Sequence, residues 1–399
     1  FAASDQTNLS DFSSTAYIEL QNENQVVITA KIALVEGRGA GAIEIPPTMP
    51  TGNYRLVGYT AQNRNEKGFA PCGKILTIYN VLTSDRVEGN VQLLDEKGPV
   101  PTPEENFREG KTSYDRFEIK LPSGSVPKGK EFEIVLDNKL QEALSLSVSI
   151  YKKTPFGEGE DMGIVSFMEK FDRTTFGQVN NEFVPDYEGE VVNLKVEGAD
   201  DERLYISFPG VQVNCYTSHI DPDGGAYVVT PNIYGDKDMV CEGGESVSIV
   251  DPYIRHIVGD IPKLELYPHF EEELLKLGFS MQVGRRFDAD TLYERLPVRP
   301  NILLDNTKVV YLLDDYTRFP KMEEVLVEFV HEIRIRSVRR EKQLSILIDN
   351  NENTYYSNEH SLVLLDGVPV TDQTKILEYD PLLVHRIEIY TGTYSMGDT

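Results

Sequence analysis

The feature that most constrains this fold is a change in the spacing of its apolar residues. Up to about residue 258, apolar and polar residues alternate in short runs bounded by Gly, Asn and Pro, as in β-strands. After about residue 300 one segment differs, because its apolar residues recur at offsets 0, 3, 4, 7 and 8, the stripe of a helix. These residues are Met322, Val325, Leu326, Phe329 and Val330. The sequence therefore predicts a mainly β, multidomain chain: tandem immunoglobulin-like β-sandwiches followed by a small α+β domain.

The clearest strand of the amino-terminal region follows a turn. Residues 51–53 lead into the segment 54–60, where Tyr54 and Leu56 alternate with Arg55. This alternation predicts a sandwich strand with one buried face.

A chain of 399 residues is long enough for two to four domains. Turn-rich stretches suggest three β-sandwich modules, a connector with a short helix over residues 271–278 that Gly278 ends, and the α+β domain. The predicted boundaries are 1–82, 83–187 and 188–258 for the modules, 259–299 for the connector and 300–399 for the last domain. The sequence contains no run of 18 apolar residues that would indicate a membrane helix.

The charge balance argues against nucleic acid as a partner. The formal net charge is −26, whereas phosphate binding requires clustered Lys and Arg. The one basic cluster alternates with apolar residues, so it indicates either the solvated face of a strand or a docking patch for an acidic partner. Its members are Arg334, Arg336, Arg339, Arg340 and Lys342.

Cysteine spacing leaves two possibilities open. The three cysteines form no CxxC pair, which argues against a zinc site. Cys215 and Cys241 fall in one predicted β unit, so they either form a disulfide in an oxidising compartment or serve as small buried apolar residues.

No catalytic pattern emerges from the remaining polar residues. The six histidines show no i, i+4 metal spacing, and neither HExxH nor GxSxG occurs. Asp221 and Asp223, with Asp236 and Asp238, lack the spacing of an EF-hand and fit hairpin turns better. We therefore predict a protein that is not an enzyme and has no cofactor or metal.

Three motifs in the last hundred residues carry a family resemblance. Residues 311–320 read YLLDDYTRFP, residues 361–370 read SLVLLDGVPV, and residues 384–392 read VHRIEIYTG. In this order they resemble the plug domain of TonB-dependent outer-membrane receptors, in the form attached to macroglobulin-like proteins of Bacteroidetes-type bacteria. A receptor plug sits inside a barrel, and no barrel sequence lies within these residues. The resemblance implies an accessory part of an envelope machine.

Two further resemblances concern the β-rich region. The stretch from Ile45 to Asn80 resembles the second macroglobulin-type domain, whose first strands would precede Phe1, so we expect the chain to be a fragment of a longer protein. Residues 188–258 resemble the carboxypeptidase-regulatory-like sandwich that accompanies such plugs, which implies no peptidase. A macroglobulin thioester requires Cys-Gly-Glu-Gln, and residues 72–75 read CGKI instead.

These observations predict a non-catalytic, periplasmic or outer-membrane-associated accessory protein of a transport or secretion complex. It would dock to, or plug, a pore formed by another chain, such as an outer-membrane barrel. The alternative is a surface or periplasmic module that binds glycan or protein. Loops at strand ends are common binding positions. The expected contact residues are Asp314, Asp315, Tyr316, Arg318, Asp366, Gly367 and Asp372.

Overall fold

Strands dominate the structure, a computed structural model. They make up 42% of the described residues and helices 16%, which confirms the predicted mainly β class. The structure describes residues 11–65, 72–95, 117–120, 131, 133, 135–138, 183–199, 202–209, 214–231, 233–257, 259–287, 308–338, 341–349, 354–357 and 361–391.

The amino-terminal unit is an antiparallel sheet in the order β2-β1-β3-β4. Its strands are β1 Thr15–Gln21, β2 Val26–Ala33, β3 Gly52–Thr60 and β4 Cys72–Ile78. Tyr54 packs with Leu20 on one face of this sheet, and Val57 packs with Tyr59 on the other. The prediction of one buried face for segment 54–60 was therefore wrong. The residues around Tyr253, far along the chain, cover the second face.

The region after residue 82 is described only in part. Strand β5 Val91–Leu93 pairs in parallel with β14 Leu264–Leu266, and β6 Phe117–Lys120 pairs with β7 Val135–Asn138. Val87 is buried in the core of the first sheet. The sequence predicts a strand at 146–150 and leaves 162–171 open between a helix and a strand pair, and both segments lie outside the described residues.

Residues 190–249 form a β-sandwich of two three-stranded sheets, in the orders β10-β9-β12 and β11-β8-β13. The strands are β8 Glu190–Glu197, β9 Arg203–Phe208, β10 Asn214–His219, β11 Gly225–Thr230, β12 Val240–Glu242 and β13 Ser246–Ile249. Both sheets contribute to one core that includes Leu194, Leu204, Ile206 and Val228. Asp221 opens the turn between β10 and β11, where Gly224 has a φ of 81° and its N–H donates to the Asp221 carbonyl at 2.8 Å.

Cys215 and Cys241 are free thiols on opposite faces of one sheet. Cys215 pairs with Ser207 of β9, whereas Cys241 pairs with the adjacent Ile206. Adjacent strand residues point to opposite faces, so the two sulfur atoms cannot meet without a change of register. This geometry decides the open alternative in favour of small apolar side chains, of which Cys215 is buried and Cys241 half-buried.

Both thiols should therefore react slowly in the native protein. Burial raises the pKa of Cys215, and it raises the pKa of Cys241 to about 11. For Cys241, the rise from an ordinary value of 9.0 lowers the thiolate fraction about a hundredfold near neutral pH. In a Cys72→Ser background at pH 8, we expect slow labelling by a maleimide and rapid labelling of two thiols after unfolding. Rapid labelling of the native protein would contradict this placement.

The connector contains a longer helix than the sequence suggested. Helix α1 spans Glu271–Arg286 and continues through Gly278, so the prediction that this glycine ends the helix was wrong. A Cβ at position 278 would lie 2.5 Å from Cγ2 of Val81. The glycine therefore allows the helix to approach Val81 closely.

The carboxyl-terminal unit mixes helices with short sheets, in which β15 pairs with β21 and β17 lies between β16 and β18. Its strands are β15 Lys308–Leu312, β16 Ile333–Val338, β17 Glu341–Asp349, β18 Thr354–Tyr356, β19 Leu364–Leu365, β20 Val368–Pro369 and β21 Arg386–Tyr390. Its helices are α2 Met322–Phe329 and α3 Gln373–Leu377. The predicted stripe forms the core, with Phe329 half-buried and its other four members buried.

Three local details of this unit can be compared with what the local sequence favours: the start of helix α2, the extent of β19 and the turn after it. The missing N–H of Pro320 suits the first turn of a helix, but Pro320 precedes helix α2, which begins after Lys321. The apolar run 362–365 predicts a strand buried on both sides, but Leu362 is exposed and the strand is limited to β19. An Asp-Gly pair after a strand predicts a tight hairpin turn, and Asp366 and Gly367 form one, with φ values of 50° and 86°.

Candidate functional site

Arg318 holds two loops of the carboxyl-terminal unit together. One loop leaves β15 and contains Asp314, and the other is the Pro381–Leu383 turn that precedes β21. The Arg318 guanidinium donates to the carbonyl of Pro381 at 2.7 Å and to that of Val384 at 3.0 Å, and it also pairs with Asp314. Because one planar group satisfies both loops, their relative position is fixed.

An aromatic cluster attaches the first loop to helix α2 and strand β15. The Tyr316 ring lies 4.8 Å from Phe329 of α2 and 6.1 Å from Tyr311 of β15, measured between ring centres. The Tyr311 hydroxyl donates to Glu332 at 2.6 Å. Burial and this carboxylate raise the pKa of Tyr311 to about 12, so it remains a neutral donor. The loop therefore rests on the hydrophobic core of its own unit.

The second loop is capped and presents apolar side chains to solvent. The Asp380 carboxylate accepts a hydrogen bond from the Leu382 N–H at 2.9 Å, which fixes the start of the turn. Leu382 is 68% exposed and Leu383 is 71% exposed. Next to them, His385 Nδ1 lies 3.4 Å from Asp314 Oδ2.

We call the exposed surface of these two loops the loop patch. Its members are Asp314, Tyr316, Leu382, Leu383 and His385. The Arg318 hydrogen bond, and to a lesser extent His385, lowers the pKa of Asp314 below its ordinary value. The patch thus combines two exposed leucines with a carboxylate that stays ionised at neutral pH. Such an apolar centre beside charged groups is typical of a protein-binding surface.

The sequence identified only part of the loop patch. Asp314 and Tyr316 belong to it, Arg318 anchors it, and Asp315 is exposed in the same short 3-10 helix. Leu382, Leu383 and His385 were missed because nothing local indicates that the second loop lies beside the first. The available signal was a pair of leucines directly after Asp380-Pro381, since a turn is an unusual place for two large apolar residues.

The second predicted contact loop lies against the β-sandwich of the same chain. The hairpin β19-β20 lies on strand β9, and Gly367 and Pro369 are buried. Thr371 donates from its hydroxyl to Glu242 of β12, and its N–H lies 3.4 Å from the same carboxylate. Asp372 caps helix α3 by accepting from the Thr374 N–H at 3.1 Å. The structure therefore gives Gly367 and Asp372 roles within the chain, and Asp366 stays exposed at the hairpin tip.

This hairpin covers the outer face of sheet β10-β9-β12. Register places Ser207, Cys215 and Glu242 on that face, opposite the sandwich core. Ser207 and Cys215 are buried there. The sandwich and the carboxyl-terminal unit are thus in direct contact.

The basic cluster is partly used within the unit. The Arg334 guanidinium lies 4.2 Å from the centre of the Tyr356 ring, and Arg336 donates to the Ser357 carbonyl at 3.0 Å. Lys342 pairs with Glu323 at 2.5 Å. Arg339 and Arg340 lie outside the described residues.

Two kinds of feature are absent from the described residues. Across the described ranges, no three His, Cys, Asp or Glu side chains converge closely enough to bind a metal ion. In the same part of the chain, no helix has the length and apolar character needed to cross a bilayer.

Comparison with known proteins gave no match to a family model, to a curated protein or to a solved structure.

Proposed function

We propose that this protein is a non-catalytic interaction protein of the cell envelope that docks to a partner through the loop patch. The observation that carries the proposal is the exposure of Leu382 and Leu383 on a turn that Arg318 and Asp380 fix. Exposed apolar side chains on a rigid turn can be buried by a partner with little loss of conformational entropy. This is what an interface anchor requires.

The envelope assignment rests on the resemblance of residues 311–320, 361–370 and 384–392 to receptor plugs. The loop patch uses residues from the first and third of these motifs. We propose that its partner is an outer-membrane barrel or another subunit of a transport or secretion complex.

The alternative function is adhesion through the β-sandwich, by binding glycan or protein. Exposed tyrosines favour it, because aromatic rings offer apolar faces with a polar edge to ligands. Tyr187, Tyr227 and Tyr234 are exposed in or beside the sandwich.

The two functions can be separated by variants that leave the fold intact. In Leu382→Asp/Leu383→Asp, two carboxylates would replace the apolar centre of the loop patch. Val327→Asp is the matched control, because Val327 is exposed on α2 of the same unit. The tagged proteins would be cross-linked in cells of the source organism and purified from detergent-solubilised outer membranes, with quantitative mass spectrometry.

We expect the double variant to lose its membrane partner at least tenfold, about 1.4 kcal/mol of binding, and the control to retain it. Equal recovery of one partner by both proteins would refute docking through the patch. Loss of binding in Tyr187→Ala/Tyr227→Ala, with retention in the leucine variant, would move the function to the sandwich.

A further inference from the structure

Helix α1 carries an apolar stripe that faces solvent. Leu275, Phe279 and Val283 follow one another at intervals of four residues, so they form one ridge along the helix, and Phe287 lies directly after its end. Leu275 is 63% exposed, Phe279 69% and Phe287 79%. Contiguous exposed apolar surface of this kind marks an interaction site.

A different side of the helix packs on the protein. Gly278 contacts Val81, and at 100° per residue it lies about 100° around the helix from Phe279. Val283 lies about 40° beyond Phe279, farther still from Gly278. The stripe is therefore turned away from the contact that attaches the helix.

The residues of this face are arranged symmetrically about Phe279. Leu275 precedes it by four residues and Val283 follows it by four, whereas Glu272 precedes it by seven and Arg286 follows it by seven. Two copies of the helix, placed antiparallel about a two-fold axis at Phe279, would bring Leu275 of each against Val283 of the other. The same axis would bring Glu272 of each against Arg286 of the other.

We propose that a second copy of this chain binds here, through antiparallel pairing of helix α1. A two-fold interface uses one surface twice, so each residue must have its complement on the same surface, and this helix meets that condition in both shape and charge. Ridges of residues four apart pack against each other in the commonest helix–helix arrangement. This surface is separate from the loop patch and does not depend on the function proposed for it.

Charge determines the orientation of the pair. Each chain has a net charge of −26, so two copies repel unless opposite charges meet locally. Glu272 and Arg286 are about 21 Å apart along the helix, given a rise of 1.5 Å per residue. A parallel pair would place like charges together at each end, whereas the antiparallel pair places opposite charges there.

The test is the mass of the purified full chain in sedimentation velocity, followed over about two decades of concentration. We expect a concentration-dependent dimer. Phe279→Asp should abolish it, because it places two carboxylates at the two-fold axis. Val327→Asp, at an exposed apolar residue of helix α2 that belongs to neither surface, should leave the dimer unchanged. A wild-type chain that stays monomeric, or a dimer that survives Phe279→Asp, would overturn the proposal.

Charge exchange tests the antiparallel register independently of any effect on folding. Glu272→Arg and Arg286→Glu should each weaken the homodimer at least tenfold, because like charges then meet at both ends. A mixture of these two variants should recover dimers, since arginines of one chain meet glutamates of the other. Circular dichroism confirms that each variant is folded. Failure of the folded mixture to associate above the level of either variant alone would overturn the antiparallel arrangement.

Discussion

Leu326→Asp is expected to unfold the carboxyl-terminal unit. Leu326 is 2% exposed in the core formed by the helical stripe of α2. A carboxylate placed there has no partner, and its burial costs several kcal/mol, which is comparable to the whole stability of a small domain. The first sheet and the β-sandwich have their own cores and should remain folded.

Limited proteolysis with mass spectrometry provides the measurement. In the variant, cleavage should begin after helix α1, beyond Arg286, and leave a resistant amino-terminal fragment, whereas Val327→Asp on the exposed face of α2 should resist cleavage like the wild type. Wild-type resistance of Leu326→Asp would show that the stripe is not the core of this unit.

Phe329→Asp is a milder change with a different consequence. Phe329 is half-buried, and its ring lies 5.4 Å from that of Phe319 as well as 4.8 Å from that of Tyr316. Phe329→Asp therefore removes the ring that supports the first loop of the loop patch, and it disturbs the core of the unit less than Leu326→Asp does. The sequence alone did not distinguish Phe329 from Leu326, because both lie on the same apolar stripe.

Features determined by neighbouring residues were predictable from the sequence. The helical stripe, the Asp366-Gly367 turn and the cap at Asp372 each depend on residues within a few positions. The same holds for the alternation that indicated strands. The failure at Gly278 has a physical reason, since its contact is with Val81, about 200 residues away in sequence, and tertiary packing overrides helix propensity.

Features determined by distant residues were not predictable. The parallel pairing of Val91–Leu93 with Leu264–Leu266 joins segments whose relative position no local pattern specifies. The loop patch has the same origin, because the contacts of Arg318 and His385 that place the turn at Pro381 beside Asp314 join residues more than 60 positions apart. Half of the candidate site was therefore predictable: the sequence indicated the loop after β15, but it did not indicate the turn at Pro381 that lies beside it.

The contact between hairpin β19-β20 and the sandwich also changes how truncation should be interpreted. A chain ending near residue 300 would lose the hairpin that covers Ser207 and Cys215. Loss of a partner by such a chain would reflect both the missing loop patch and the uncovered sheet. Point substitutions at Leu382 and Leu383 avoid this ambiguity.

In the amino-terminal unit, we expect the largest loss of stability from a substitution at Glu19. This carboxylate is fully buried, yet it accepts hydrogen bonds from the Tyr59 hydroxyl at 2.6 Å, the Ile254 N–H at 2.9 Å and the Gln21 side-chain amide at 2.8 Å. The Arg255 N–H donates to it as well, at 3.3 Å. Arg255 has a φ of 57°, a strained left-handed conformation that these bonds help to hold.

Glu19→Gln should destabilise this unit by about 3 kcal/mol, because the new amide group must face a donor in either orientation. Its NH2 group would meet Tyr59 and Ile254 on one side, or the amide of Gln21 on the other. Burial and the Glu19 bond raise the pKa of Tyr59, so this hydroxyl remains a donor at neutral pH and cannot relieve the conflict as a phenolate.

Glu88→Gln is the matched control, since Glu88 is exposed in the same region. Hydrogen exchange of the peptide around Ile254 and Arg255 should accelerate strongly in Glu19→Gln and stay at the wild-type rate in Glu88→Gln. Unchanged exchange in Glu19→Gln would mean that this segment is attached to the first sheet by the packing of Tyr253 and Ile254 and not by the buried carboxylate.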